Sequence, residues 1–158
     1  MSAYVSFFIR VNDNFAPIGS WSRSSKMYGV MSNRVPYEKM RALTITDLQN
    51  AINEINLSIK EWNEALDERK EEIKMVMNAA NASLKEKLEE VSDIRYLINE
   101  IKEDLEAYED ARNTLAVYID ILDNVKYSET RFENDYKHYL YAGIEVAGTI
   151  DEISDLKF

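Results

Sequence analysis

The sequence predicts an α+β chain, predominantly helical: a long antiparallel helical hairpin (coiled coil), capped at its base by a small antiparallel sheet built from the N- and C-terminal segments. Three observations carry this expectation. Two apolar seams with a 3.5-residue period fill the middle of the chain, "NAANAS" at residues 78–83 separates them, and period-two apolar alternation marks both ends.

The N-terminal "YVSFFIRV" alternates Val5, Phe7, Ile9 and Val11 on one face, as a half-buried strand does. Asn12-Asp13-Asn14 is rich enough in turn formers to fold "FAPIGSWS" back as a hairpin partner, and Pro17 confines that partner to a sheet edge. Residues 1–44 thus read as a β-hairpin followed by a basic loop and a short helix ending near Met31.

The first long helix is expected over 46–79. Its seam runs Leu48, Ile52, Ile55, Ile59, Trp62, Leu66, Arg69, Ile73, Val76, Ala80, the pattern of left-handed coiled-coil packing with only Arg69 out of character. Thr46 with Gln49 supplies a capping box, and Asp47 suits the positive end of the helix dipole. The second helix is expected over 83–126, its seam running from Leu84 through Val91, Ile98, Leu105, Arg112 and Leu115 to Leu122.

The second seam is four residues out of step with the first, so the chain either turns back near Asn81 or continues through a stutter as one rod that pairs with a second chain. A turn is the better reading. Asn78 and Asn81 tolerate left-handed cap geometry, and Ser83 with Glu86 makes a second capping box. Folding about residue 81 leaves the second helix overshooting the first, and the overhang "LAVYIDILDNV" is apolar on several faces. It needs a cover. "YLYAGIEVAG" within 136–147, which alternates Leu140, Ala142, Ile144 and Val146, joins the N-terminal hairpin in about three strands to provide it. Residues 149–158 form a tail, and the whole of 1–158 reads as a single domain.

At 158 residues and 46% hydrophobic composition, one core without covalent staples is expected. The chain holds no cysteine, which removes disulfides, thiolate metal sites and thiol nucleophiles and suits a reducing, cytoplasmic setting. No run of about 20 apolar residues offers a membrane span. The net charge of −10 is uneven: residues 1–44 carry six basic groups against two acidic, leaving 13 basic and 27 acidic for the rest. The long acidic portion repels phosphates, disfavouring direct nucleic-acid binding except through the N-terminal quarter.

The segment "SWSRSSKMYGV" gathers the candidate ligand-binding residues. Trp21, Arg23, Ser24, Lys26 and Tyr28 combine hydroxyls, positive charge and stacking surface, Ser22 or Ser24 is placed to cap the short helix, and Arg34 extends the positive zone. Arg112, a seam arginine, comes close to the same corner when the chain folds back. Such a set suits a small anionic ligand such as a nucleotide, although the second glycine of a phosphate loop is missing. The competing reading is that Trp21 and Tyr28 plug the corner between sheet and helices, while the basic groups offset nearby acids.

Arg69 lies level with Asp93 in the hairpin and is expected to pair across it. The carboxylates from Glu86 to Asp110 fall at helical spacing, either as a solvated exterior or as a mimic of a phosphate ladder. His138 is the single histidine, which excludes the usual zinc and di-iron spacings, and Tyr127, Tyr136, Tyr139 and Tyr141 cluster near it as cross-strand or oligomer contacts. No catalytic residues, metal ligands or cofactor motifs are identified. A narrow two-helix seam buries little, so a homo-oligomer is expected, with Ala51, Ser58, Ala65 and Ala79 admitting another helix and Leu88 and Leu97 widening the stripe.

The functional expectation is therefore a non-enzymatic, oligomeric interaction protein that binds a protein partner, as an assembly factor or inhibitor. Short, acidic, cysteine-free chains of this kind are common among phage and mobile-element accessory and anti-defence proteins. The alternative is a protein that binds or sequesters a small anionic ligand through its basic-aromatic N-terminal segment.

Overall fold

A computed structural model describes residues 3–11, 14–37, 39–128 and 140–145. The elements follow in the order β1 (Tyr4–Val11), β2 (Asn14–Ser22), α1 (Lys26–Met31), β3 (Arg41–Leu43), α2 (Ile45–Asn78), α3 (Leu84–Ser128) and β4 (Leu140–Glu145). The helical hairpin and the terminal sheet are both present. His138, Tyr136, Tyr139, the side chain of Tyr127, the turn residues Asn12 and Asp13, and the tail 149–158 lie outside the described residues.

The sheet has four strands, not three, in the order β2-β1-β4-β3, with every strand pair antiparallel. Its unforeseen member is β3, whose three residues pair Arg41 with Ala142 and Leu43 with Leu140. β2 is an edge strand, where the missing N–H of Pro17 disturbs no outer ladder. Phe7 pairs with Gly19 and Phe8 with Pro17, so Ile18 is the extra residue of a bulge.

Alternation divides the sheet as the pattern requires. Val5, Phe7, Leu140, Ala142 and Ile144 are fully buried on the face turned to the helices. Tyr118 of the overhanging α3 meets Phe7 with ring centroids 5.1 Å apart, and Trp21 stands edge-on to Phe7 at 5.5 Å. The opposite face is not wholly solvated. Phe8, Met40 and Tyr141 form a second buried cluster there, with Phe15 edge-on to Tyr141 at 5.1 Å. Ser6, also fully buried, satisfies its hydroxyl with that of its cross-strand partner Ser20 at 3.0 Å.

α2 starts two residues earlier than the Thr46–Gln49 pattern suggests. Thr44 is the N-cap: its hydroxyl accepts from the Asp47 amide at 3.2 Å, and the Asp47 carboxylate accepts from the Thr44 amide at 2.9 Å. The strand β3 ends at Leu43 and leaves Thr44 extended, which an N-cap needs, whereas Thr46 already lies inside the first helical turn. At the other end α2 leaves through Ala79 in extended backbone, φ −66° and ψ 130°, with Asn78 the last helical residue. No left-handed residue is needed at that cap. Ser83 and Glu86 do form the second capping box, with the Glu86 amide donating to the Ser83 hydroxyl at 3.2 Å.

The seam is tightest at the base, where Leu48, Ala51 and Ile55 are fully buried. Ala51 is thus spent inside the chain's own core and does not receive another helix; Ala79 is not helical at all. On α3 the buried series Val91, Ile94, Ile98, Ile101, Leu105 continues through Ala111, Leu115, Tyr118 and Leu122. Beyond Leu105, Leu115 and Leu122 keep to the 3.5-residue series, while Ala111 and Tyr118 are buried one position before its Arg112 and Ile119, because a straight helix drifts against a strict heptad. Tyr118, not Ile119, therefore reaches Phe7.

Candidate functional site

Two neighbouring hollows lie on one face of the hairpin. The first sits where α1 crosses it, a cavity of about 320 Å³ bounded by Ser24, Ser25, Lys26, Glu54, Ser58 and Tyr108. Ser25, rather than Ser22 or Ser24, caps α1: its hydroxyl accepts from the Tyr28 amide at 3.1 Å and donates to the Ser22 carbonyl at 2.7 Å. Three serines with equal capping chemistry stand together here, and the end of β2 at Ser22 selects the third.

Lys26, Arg34 and Arg41, which border this corner, each already have an acid. The Lys26 ammonium lies 3.1 Å from Asp104 and 4.9 Å above the Tyr108 ring. Arg34 pairs with Glu54 at 2.5 Å and also donates to the Val30 carbonyl at 2.6 Å. Arg41 reaches Asp47 at 3.3 Å and the Arg34 carbonyl at 2.6 Å. The N-terminal positive zone is thus neutralised locally by the acidic helices it sits on, and it ties α1 and the 34–41 segment to α2 and α3. Arg23 is exposed, its amide donating to the Ala3 carbonyl at 2.9 Å.

The aromatic candidates point inward. Trp21 is half-buried between Phe7 and Tyr118, and Tyr28 is buried with its hydroxyl 3.3 Å from that of Tyr37. That hydrogen bond, then burial and the neighbouring phenol, raise the Tyr28 pKa above the ordinary tyrosine value, against an opposing pull from Arg23. Burial alone pushes Tyr118 up more strongly. Both rings are therefore neutral structural groups, and Ser24 is the candidate that lines the cavity beside Lys26.

The seam arginines differ from expectation. Arg69 pairs with Glu72 one turn away at 2.9 Å, not with Asp93, which is exposed. Arg112 is half-buried and donates to the Asn56 side chain at 3.3 Å instead of joining the basic corner. Both long side chains leave the seam for its rim, where their head groups stay hydrated.

The second hollow, which the sequence reading did not single out, continues along the hairpin past α1. It is a groove of about 250 Å³ with Trp62, Ala65, Leu97 and Ile101 as its apolar lining and Glu68, Arg69, Glu100 and Asp104 at its edges. It arises because the apolar residues of α2 lean to one side: Trp62, Leu66, Ile73 and Val76 remain half-buried while Val91, Ile94 and Ile98 opposite them are buried. Further out, Met75, Leu84 and Leu88 are exposed. Among the described residues no cluster of histidine, cysteine and carboxylates is placed to hold a metal ion, and no helix is long and apolar enough to cross a membrane. Comparison with known protein families, with curated proteins and with solved structures finds no match.

Proposed function

We propose that the chain is a non-enzymatic, cytoplasmic interaction protein that works as an oligomer and whose projecting helical hairpin is the element that engages a protein partner, in the manner of an assembly factor or inhibitor. One observation carries this reading. The hairpin extends well beyond the sheet and α1, and that free portion bears an apolar-lined groove between half-buried Trp62 and exposed Leu97. A protein that needed the hairpin only for stability gains nothing from apolar surface at its far end, where it costs solubility. The test is affinity capture from the native host with the intact chain and with Leu97→Glu, whose folding is checked by its thermal melt. A protein retained by the first and lost from the second is the expected result; equal retention of everything by both overturns the reading.

The cavity beside α1 supports a second reading, a binder of a small anionic ligand such as a nucleotide, since Ser24, Ser25 and Ser58 bring hydroxyls to one space next to Lys26. Against it stands the pairing of Lys26 with Asp104. Thermal melts with a nucleotide panel test it: a ligand at 100 times its Kd adds about 2.7 kcal/mol, and Lys26→Met abolishes the shift. An unchanged melting temperature across the panel excludes it.

A further inference from the structure

Helical spacing lays a stripe of acids along each rim of the hairpin's grooved face. On α2 the stripe is Glu54, Ser58, Glu61, Ala65, Glu68 and Glu72; on α3 it is Glu90, Asp93, Leu97, Glu100 and Asp104, each step being three or four residues. Neither stripe contains a basic residue. Arg69, which stands between them at the groove, is held by both carboxylate oxygens of Glu72 at 2.9 and 3.0 Å. At the base the same two rims are already covered. α1 packs there against α2 and α3 with Met27, Val30 and Met31 buried; Lys26 reaches the α3 rim at Asp104, and Arg34, just past α1, reaches the α2 rim at Glu54. Further out the rims continue without a cover. Glu61, Glu68, Glu90, Asp93 and Glu100 are exposed, and none of them has an ion-pair partner among the described residues.

We infer that the groove takes a basic amphipathic helix of a partner protein, laid along the hairpin beyond α1. Its apolar residues, at i, i+3, i+4 and i+7, fill the space between Trp62, Ala65, Leu97 and Ile101, and lysines or arginines on its two flanks meet Glu68 on one rim and Glu100 on the other. Charge complementarity commits the occupant. With Arg69 bound to Glu72 and Asp104 to Lys26, the charges left at the groove are the carboxylates of Glu68 and Glu100, which repel an acidic helix or a phosphate backbone and attract a cationic segment. Size points the same way: at about 250 Å³ the hollow falls below the roughly 300–1,000 Å³ of small-molecule sites, and its rims run on past it, so it suits side chains carried by a longer element. α1 already shows the chemistry within the molecule, an apolar side on the hairpin with one base sent to each rim.

This rests on the hairpin being the contact element and adds the chemistry of what it contacts. The probe is a library of random peptides about 14 residues long, four helical turns, displayed on yeast and selected on the purified intact chain with Leu97→Glu as the counter-selection. Peptides that need Leu97 should carry the helical apolar pattern and a net positive charge. Glu68→Lys/Glu100→Lys should bind them roughly tenfold or more weakly. Raising salt from about 0.1 M to 1 M, which shortens the screening length from roughly 10 Å to 3 Å, should weaken their binding to the wild type as well. All substituted positions are exposed, and matching thermal melts verify folding. The inference is overturned if no peptide depends on Leu97, if those that do are neutral or acidic, or if the double charge reversal leaves their affinity unchanged. Self-association of the wild type in sedimentation that Leu97→Glu abolishes also overturns it, because the occupant is then a second copy. A host protein captured by the wild type and lost from Leu97→Glu leaves the interaction reading standing in each of these cases.

Discussion

Three glycines give a graded test of how tightly the base is assembled. A Cβ at Gly143 of β4 would collide with the backbone carbonyl oxygen of Lys39 and come within 3.2 Å of its carbonyl carbon. That carbonyl belongs to the segment 36–40, held beside β4 by the Ile144 amide donating to the Pro36 carbonyl at 3.1 Å. Backbone cannot rotate aside as a side chain can, so Gly143→Ala must push the segment away and loosen Met40 in the outer cluster. We expect a loss of about 3 kcal/mol, the upper end of ordinary overpacking. At Gly19 the added methyl meets ring atoms of Trp21 at 2.5 and 2.6 Å and the Tyr118 hydroxyl at 2.6 Å. These are side-chain ends with some freedom, so Gly19→Ala should cost about 1–2 kcal/mol. Removing the obstructing hydroxyl should recover part of that loss, making Gly19→Ala/Tyr118→Phe more stable than Gly19→Ala. At Gly29, in the middle of α1, nothing lies within 4 Å of the added methyl, and the better helix former should stabilise by up to about 1 kcal/mol. Urea denaturation with a common m-value reads all four, and in this size range each kcal/mol moves the melting temperature by roughly 2–4 °C. Equal effects at Gly19 and Gly143, or a destabilised Gly29→Ala, would refute the packing described for the base.

The caps separate equally well. Thr44→Ala should cost about 1 kcal/mol, while Thr46→Ala, two positions past the cap, should stay within a few tenths, measured by the same denaturation. Leu115→Ala, at a fully buried position, should cost about 2.7–5 kcal/mol, and Leu88→Ala, largely exposed, under about 0.5 kcal/mol in the isolated chain. Stability should also fall in alkali. Tyr28 and Tyr118 have folded-state pKa values above the unfolded tyrosine value, so the unfolded chain loses protons first. Their contribution is complete below about pH 10 and declines above it, as urea melts between pH 9 and 11 would show. Tyr118→Phe should flatten that decline, because its hydroxyl has no hydrogen-bond partner among the described residues.

What the sequence disclosed follows from the range of the interactions involved. The hairpin was legible because its seam is a local period and because Ser83 and Glu86 announce a helix start three residues apart. The inward face of the sheet was legible for the same reason, as Val5, Phe7, Leu140 and Ile144 alternate. β3 was not, since three residues cannot display a period and its pairing with β4 joins positions nearly 100 apart. The outer cluster was hidden too: Phe8 and Tyr141 sit on the face that alternation assigns to solvent, and Met40, brought in by the 36–40 segment, closes it together with Phe15. In the N-terminal segment the sequence offered both a ligand site and a corner whose basic groups offset nearby acids, but it did not say which acids. Lys26, Arg34 and Arg41 meet Asp104, Glu54 and Asp47 through the fold, and no local signal distinguishes a lysine bound for a neighbouring helix from one bound for a ligand.

That pairing bears on why the hairpin's far end is left as it is. The chain has the means to neutralise its acidic helices, since six basic residues lie in the first 44 and three of them are spent on α2 and α3. All three act at the base, where sheet, α1 and helices meet. Past Asp104 the ion pairs among the described residues instead lie within α2, Arg69 with Glu72 and Lys74 with Glu71, each an i,i+3 pair of the kind that steadies a helix by about 0.2–0.5 kcal/mol without tying it to its neighbour. A two-helix hairpin with a half-exposed seam has little stability to spare, so its far end is the most marginal part of the described helices. Amide exchange should therefore be faster in 60–100 than around Leu48 and Leu115. Equal rates in both regions would refute this ordering.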